Sequence, residues 1–222
     1  MKERRNEKKC CCKKGGFTLA EVLITLVIIG VIGALTVPSL IQNTQKQEYV
    51  SALKKAYSIL SQAAQQIIME EGSPKGDEGW VNGEDKYDLF KKHLNVIKDC
   101  GTAAGCIKQK KFKYLHSSGG DNWEDDSRFY KLILADGMQA AFALTDKNCS
   151  SGGYAVSSNC GMITVDVNGE KKPNQYGRDV YTFVLKENGI YPGGMDNPDT
   201  ACSWESGASC AAKVLAEGAI NF

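Results

Sequence analysis

The chain has 222 residues, with 27 Lys plus Arg, 26 Asp plus Glu and nine cysteines, for a formal net charge of +1. That length holds one membrane helix and one globular domain of ordinary size. The near-neutral total hides an asymmetry: residues 1–16 carry seven basic and two acidic side chains, a balance of +5, which leaves −4 of the total for the rest. An acidic remainder argues against a nucleic-acid-binding face spread over the whole domain.

Residues 1–16 form a polar, basic leader without an apolar stretch of its own. An ordinary secretory signal carries its apolar region before the cleavage site. Here the small residues, Gly15 and Gly16, precede the apolar run, so a cut between them and the run leaves the hydrophobic segment on the mature chain. Cys10, Cys11 and Cys12 read as incidental leader composition, because a lipoprotein signal would need an apolar region ahead of them.

From Phe17 to Leu35 the only ionisable side chain is Glu21. Nineteen residues in a helix extend roughly 28 Å, close to the hydrocarbon thickness of a bilayer. A helix apolar on all sides suits lipid better than a soluble surface. Basic residues just before a span stay cytoplasmic, which places the C-terminal part outside. An acid within a span marks a functional site; the blander reading has Glu21 snorkel to the interface and do nothing.

Lys13-Lys14-Gly15-Gly16 followed by Phe17-Thr18-Leu19-Ala20-Glu21-Val22-Leu23-Ile24 resembles the leader and cleavage site of type IV pilins and type II secretion pseudopilins. The resemblance implies cleavage between Gly16 and Phe17 by a membrane aspartyl prepilin peptidase. It also implies N-methylation of the freed Phe17 amine, a subunit-register role for Glu21, and a helix kink at Pro38. The resemblance is specific over residues 13–41, becomes architectural to about residue 70, and is general beyond that.

After Pro38, which removes a backbone donor and is expected to kink or interrupt the helix, the pattern turns amphipathic. Tyr49, Leu53, Ala56, Tyr57, Leu60, Ala63, Ala64, Ile67 and Ile68 recur at three-four spacing, with Gln45, Lys46, Glu48, Lys54, Lys55, Gln62 and Gln66 between them. That predicts one long helix whose second half packs on a domain. Residues 73–86 read as a loop and Tyr87–Ile97 as a short helix with Leu89, Phe90, Leu94 and Ile97 inward. A strand is expected near Lys111–Leu115. Arg128–Ala135 and Met138–Leu144 read as a hairpin, because Asp136-Gly137 between apolar runs signals a type I′ turn. Met162–Val167 and Val180–Lys186 read as further strands, and Asn188-Gly189 as a turn toward Ile190. Gly119-Gly120 and Gly152-Gly153 read as loops, and a short helix is expected near Ala211–Ala216. Four or five strands against a long helix give an α+β layer with an antiparallel sheet.

Cys100, Cys106, Cys149, Cys160, Cys202 and Cys210 fall in the exterior part, where an even number reads as disulfides. Short loops favour the pairs 100–106, 149–160 and 202–210, although six cysteines admit many connectivities. Zinc is the rival, and its Cys-x-x-Cys spacing is missing. Catalytic constellations are not evident. His93 and His116 stand in unrelated settings, and no glycine-rich phosphate loop opens a helix. Asp166, Asn168, Glu170 and Asp179 gather oxygens of the kind calcium takes. No bidentate Glu closes an EF-hand pattern there, so a turn is the preferred reading and no metal or cofactor is assigned.

The expected organisation is a cleaved leader 1–16, a transmembrane segment 17–37, an amphipathic segment 38–71 and an extracytoplasmic pilin-like domain 72–222. The resemblance implies a structural filament subunit rather than an enzyme. It would be made as a single-pass inner-membrane precursor and assembled by a pilus or secretion platform with other pilin-like subunits. The alternative is a membrane-anchored extracytoplasmic binding domain that does not polymerise. A hydrolase is a third class.

Overall fold

The computed structural model describes residues 16–75, 83–109, 111–144, 148–154 and 156–222. The leader through Gly15 and residues 76–82 of the expected 73–86 loop lie outside the described residues, while the last four residues of that span are helical. The chain divides into two compact units, one ending at Asn43 and the other spanning Thr44–Phe222.

Helix α1, Leu19–Glu71, is 53 residues long and contains Pro38 without a break in the helical assignment. Its Thr44–Glu71 part belongs to the second unit. There Val50, Leu53, Ala56, Leu60, Ala63, Ala64 and Ile67 are buried, while Lys54, Lys55, Gln62 and Gln66 face solvent. The three-four spacing thus becomes one buried stripe. Each fully buried Leu or Ile of it contributes about 1.5–3 kcal/mol of hydrophobic transfer.

The elements that follow are α2 (Gly83–His93), β1 (Val96–Gly101), β2 (Phe112–Lys113), β3 (Gly120–Asp121), β4 (Tyr130–Leu134) and β5 (Gln139–Ala143). Then come β6 (Ser151–Gly153), β7 (Val156–Asn159), β8 (Gly161–Asp166), β9 (Val180–Lys186), β10 (Gly189–Pro192), α3 (Pro198–Ala201) and α4 (Ala211–Glu217). Six strands form one sheet in the order β1-β4-β5-β8-β9-β10, with every pairing antiparallel. Strands β2–β3 and β6–β7 make two small separate ladders. The architecture is α+β, with the second half of α1 on an antiparallel sheet.

Side chains of a strand alternate between its two faces. Ala140 and Phe142 of β5 join the core shared with α1, whereas Ala141 joins a second cluster of Phe112, Trp123, Tyr176 and Val180 on the opposite face. Phe112 and Trp123 stack there with ring centroids 4.0 Å apart. Because both faces are covered, β9 is buried from Val180 through Leu185 and reads as a mostly apolar run, interrupted by Thr182, rather than an alternation.

Several expectations need correction. The Tyr87–Ile97 helix ends at His93, after a last turn of Lys91, Lys92 and His93 that suits its negative end. Ile97 instead lies in the edge strand β1, which bulges on both sides of its pairing with β4, and is 65 % exposed. The Asp136-Gly137 hairpin is present, but Gly137 alone of the two has positive φ, +87°. Gly137 donates to the Leu134 carbonyl and Leu134 to the Met138 carbonyl. That is a type I turn closed by a left-handed glycine, not type I′. The Asp136 carboxylate braces the turn: Oδ1 accepts the Met138 N–H and Oδ2 pairs with Lys55 at 2.8 Å. Ser151–Gly153 and Gly120–Asp121 are short strands rather than loops.

Candidate functional site

The N-terminal segment is built from its capping chemistry upward. Gly16, Phe17 and Thr18 precede the first helical residue, Leu19. Thr18 is therefore the N-cap and Glu21 the third helical residue, the spacing of a capping box. The Thr18 N–H donates to Glu21 Oε2 at 2.8 Å and the Thr18 hydroxyl donates to the same oxygen at 2.7 Å. The Glu21 N–H in turn reaches Thr18 Oγ1 at 3.3 Å. Two of the four donors a helix start leaves unpaired are thus satisfied reciprocally. Thr18 is the residue the functional reading overlooked, although Thr-x-x-Glu ahead of an apolar run is itself a helix-start signature.

Glu21 Oε2 is committed to Thr18, and Oε1 makes no hydrogen bond among the described residues. Phe17, one residue outside the cap, is 89 % exposed. The peptide between Gly16 and Phe17 therefore sits in non-helical backbone beside a defined helix start. A β-carbon on Gly16 would meet no atom within 4 Å, so its small size answers to no contact inside this chain.

Further along, Leu19, Ile24, Val27, Ile29, Leu35 and Leu40 are all at least 60 % exposed. The hydroxyls of this stretch turn back on their own helix: Thr25 donates to the Val22 carbonyl at 2.9 Å and Thr36 to the Ile32 carbonyl at 2.9 Å. Pro38 supplies no N–H, so the carbonyl one turn earlier loses its helical donor. Among the described residues α1 is the one helix long and apolar enough to cross a membrane.

Residues 11–37 match the family model of the prokaryotic N-terminal methylation motif. The chain carries this motif, the mark of type IV pilin-like precursors. The methylation motif spans the end of the leader and the apolar start of α1, and it includes Gly16, Phe17, Thr18 and Glu21. Pro38 falls one residue beyond it. No curated protein and no solved structure matches the chain. The motif and the apolar helix fit a membrane-anchored precursor.

The remaining nominated residues lie in the second unit. The cysteines are paired Cys100–Cys106, Cys149–Cys160 and Cys202–Cys210, with Cα separations of 5.7, 3.9 and 4.3 Å. This pairing uses all six, leaving none as a thiolate ligand for zinc. His93 faces Glu70 at 3.3 Å and His116 lies 3.1 Å from the Cys202 carbonyl oxygen, so the two histidines share no site.

Of the four oxygen-bearing residues considered for calcium, three come together. Asn168 Nδ2 donates to Asp179 Oδ2 at 3.1 Å, and the Asn168 N–H donates to Asp166 Oδ1 at 3.2 Å. Glu170 turns away and pairs with Lys108 at 2.9 Å. Asp166 and Asp179 are both fully buried. Burial pushes the Asp166 carboxyl up to about 8, and the charge of Asp179 adds to the rise. Burial raises Asp179 as well, against backbone N–H donors from Gln175 and Asn174 that favour its charged form.

Proposed function

We propose that this chain is a structural subunit of a type IV pilus or type II secretion pseudopilus, cut after Gly16, methylated on Phe17 and assembled into a filament. The observation that carries the reading is the placement of the methylation motif. It lies on the helix whose later residues, Val50 to Ile67, supply the core of the globular unit. A simple anchor needs no such sharing, because a linker can follow its span. In a subunit, by contrast, the assembling helix and the folded domain are one element.

Hydrolysis of the Gly16–Phe17 peptide frees an ammonium at Phe17, next to an apolar helix. Inside a filament that charge needs a partner, since an isolated ion in apolar surroundings is strongly disfavoured. Glu21 of a neighbouring subunit supplies it through Oε1, while Oε2 stays on Thr18. Stagger between subunits is then set where amine and carboxylate meet. The globular unit faces the exterior, consistent with three disulfides.

The test is Glu21→Val expressed as the sole copy. Membrane insertion and cleavage should persist, because the span becomes more apolar and the scissile residues are untouched. Incorporation into sheared filaments should fall sharply. Normal incorporation of the cleaved variant would refute the pairing and leave Glu21 as a helix cap alone.

A further inference from the structure

The turn joining β2 to β3 walls an open cavity of about 520 Å³. Its sequence is Tyr114-Leu115-His116-Ser117-Ser118-Gly119, preceded by Lys111-Phe112-Lys113. Phe112 is fully buried and stacks on Trp123. Side chains of extended backbone alternate, so the two lysines flanking Phe112 take the opposite side. Both line the cavity, with His116, Ser117, Ser118 and Gly119. Among the described residues no Asp or Glu lines it, although residues 17–222 together carry a balance of −4.

The turn is fixed from two sides. Gln175 Nε2 donates to the Tyr114 carbonyl at 3.0 Å and toward the Leu115 carbonyl at 3.5 Å. The Lys113 carbonyl accepts the Tyr176 N–H at 2.9 Å. Opposite, the Leu115 N–H donates to the Ser206 carbonyl at 3.1 Å and the His116 N–H to the Glu205 carbonyl at 3.0 Å. His116 Nε2 lies 3.1 Å from the Cys202 carbonyl oxygen, beside the Cys202–Cys210 disulfide. What this held turn still offers is mostly donors. The N–H groups and hydroxyls of Ser117 and Ser118 have no partner among the described residues. Nor does Lys111 or Lys113 form an ion pair with any of them.

Two ammonium groups with hydroxyl and amide donors select an anion of several acceptor oxygens, and lysine meets phosphate as a point charge. The volume is larger than a bare phosphate fills, and it falls within the roughly 300–1,000 Å³ of small-molecule sites. Leu115 is the one purely aliphatic side chain among the described lining residues, which suits a hydroxyl-rich body. A nucleic acid fits less well, because its grooves track many phosphates with cations and stack bases on open aromatic rings. Here the Phe112 ring is in the core, the Tyr114 hydroxyl donates to Asp121, and Lys108 of the same basic run is taken by Glu170 at 2.9 Å. We infer that Lys111, Lys113, Ser117 and Ser118 bind the phosphate group of a small phosphorylated sugar at the β2–β3 turn. The inference does not rest on filament assembly.

The experiment titrates the full chain in detergent by calorimetry, in phosphate-free buffer at fixed ionic strength. The probes are glucose 6-phosphate, inorganic phosphate and glucose. Glucose 6-phosphate should bind one site with Kd of order 0.1–1 mM, as the efficiency of a ligand of that size allows. Inorganic phosphate should bind more weakly and glucose not at all. The double substitution Lys111→Gln and Lys113→Gln, at two exposed positions, should weaken binding about tenfold or more, with the melting midpoint unchanged. Ser118→Ala, also exposed, should weaken it about threefold. Lys108→Gln, in the same basic run but outside the cavity, should leave Kd unchanged. No heat from glucose 6-phosphate up to about 10 mM, ten times the top of that range, would overturn the site. An equal loss from Lys108→Gln would also overturn it, by reducing the effect to general charge attraction. Equal affinity for glucose and glucose 6-phosphate would overturn the role given to the lysines. A single-stranded oligonucleotide that binds more tightly than glucose 6-phosphate and loses affinity in Lys108→Gln would replace the sugar phosphate with a nucleic acid.

Discussion

Leu23 and Leu60 belong to the same helix and meet opposite surroundings: Leu23 is 54 % exposed, Leu60 1 %. Before Asn43 the helix is apolar on every side. After Thr44 it is apolar along one stripe, and that stripe is covered by the sheet. The comparison teaches that hydrophobic content does not by itself say what covers a helix; its distribution around the axis does. A one-sided stripe finds its cover within its own domain. An all-round apolar surface calls for lipid or for other helices of its kind.

The comparison can be broken at either end. The largest expected effect is at the cleavage position: Gly16→Val should leave the precursor uncut, because a branched side chain crowds the site a peptidase must enclose. An intact-mass measurement on membrane fractions checks it, and the domain's melting should not change. Next is Leu60→Ala, which removes side-chain atoms from the covered stripe and should destabilise the globular unit by about 2–5 kcal/mol. Leu23→Ala, on the uncovered part, should leave that melting transition where it was. Equal losses from the two substitutions would erase the distinction drawn between the regions.

Replacing both Cys149 and Cys160 by Ser should cost about 3 kcal/mol, chiefly by releasing the unfolded chain from an 11-residue constraint. Chemical denaturation of the parent and the double variant measures it, and non-reducing peptide mapping should recover the three pairs. The smallest effect belongs to the cap. Thr18→Ala removes a hydroxyl that holds Glu21 and should weaken the first turn by ~1 kcal/mol, or about fivefold faster local amide exchange. Exchange beyond the second turn should be unaffected.

Much of this was legible in the sequence for a physical reason: periodicity and turn chemistry are local. The buried stripe from Leu53 to Ile67, the hairpin at Asp136-Gly137 and the strands Met162–Val167 and Val180–Lys186 can be read from nearest neighbours alone. What was not legible depended on tertiary partners. Ile97 looked helical because it continues the spacing of Leu89, Phe90 and Leu94, yet pairing with β4 draws Val96 onward into a strand. The turn at Asp136 takes its type from strand register: Ile133 pairs with Gln139 and Leu134 bonds to Met138, and the longer loop this leaves favours a type I turn closed by a left-handed glycine. In the candidate site, Glu21 stood out because a charge in an apolar run is conspicuous, and Gly16 and Phe17 stood out through the resemblance of the residues around them. Thr18 did not, although Thr18-x-x-Glu21 ahead of an apolar run is a local helix-start signature. Glu170 was nominated by proximity in sequence, whereas Lys108 draws it away.

The central claim is that this chain is processed at Gly16–Phe17 and incorporated into a filament. The direct measurement is N-terminal mass analysis of the protein recovered from sheared surface filaments, or from pseudopili if those are the assembled form. The account predicts a chain beginning at Phe17 and heavier by one N-methyl group. Protein that begins at Met1 or at another position in the assembled fraction, or a cleaved chain that never leaves the membrane fraction, would contradict it.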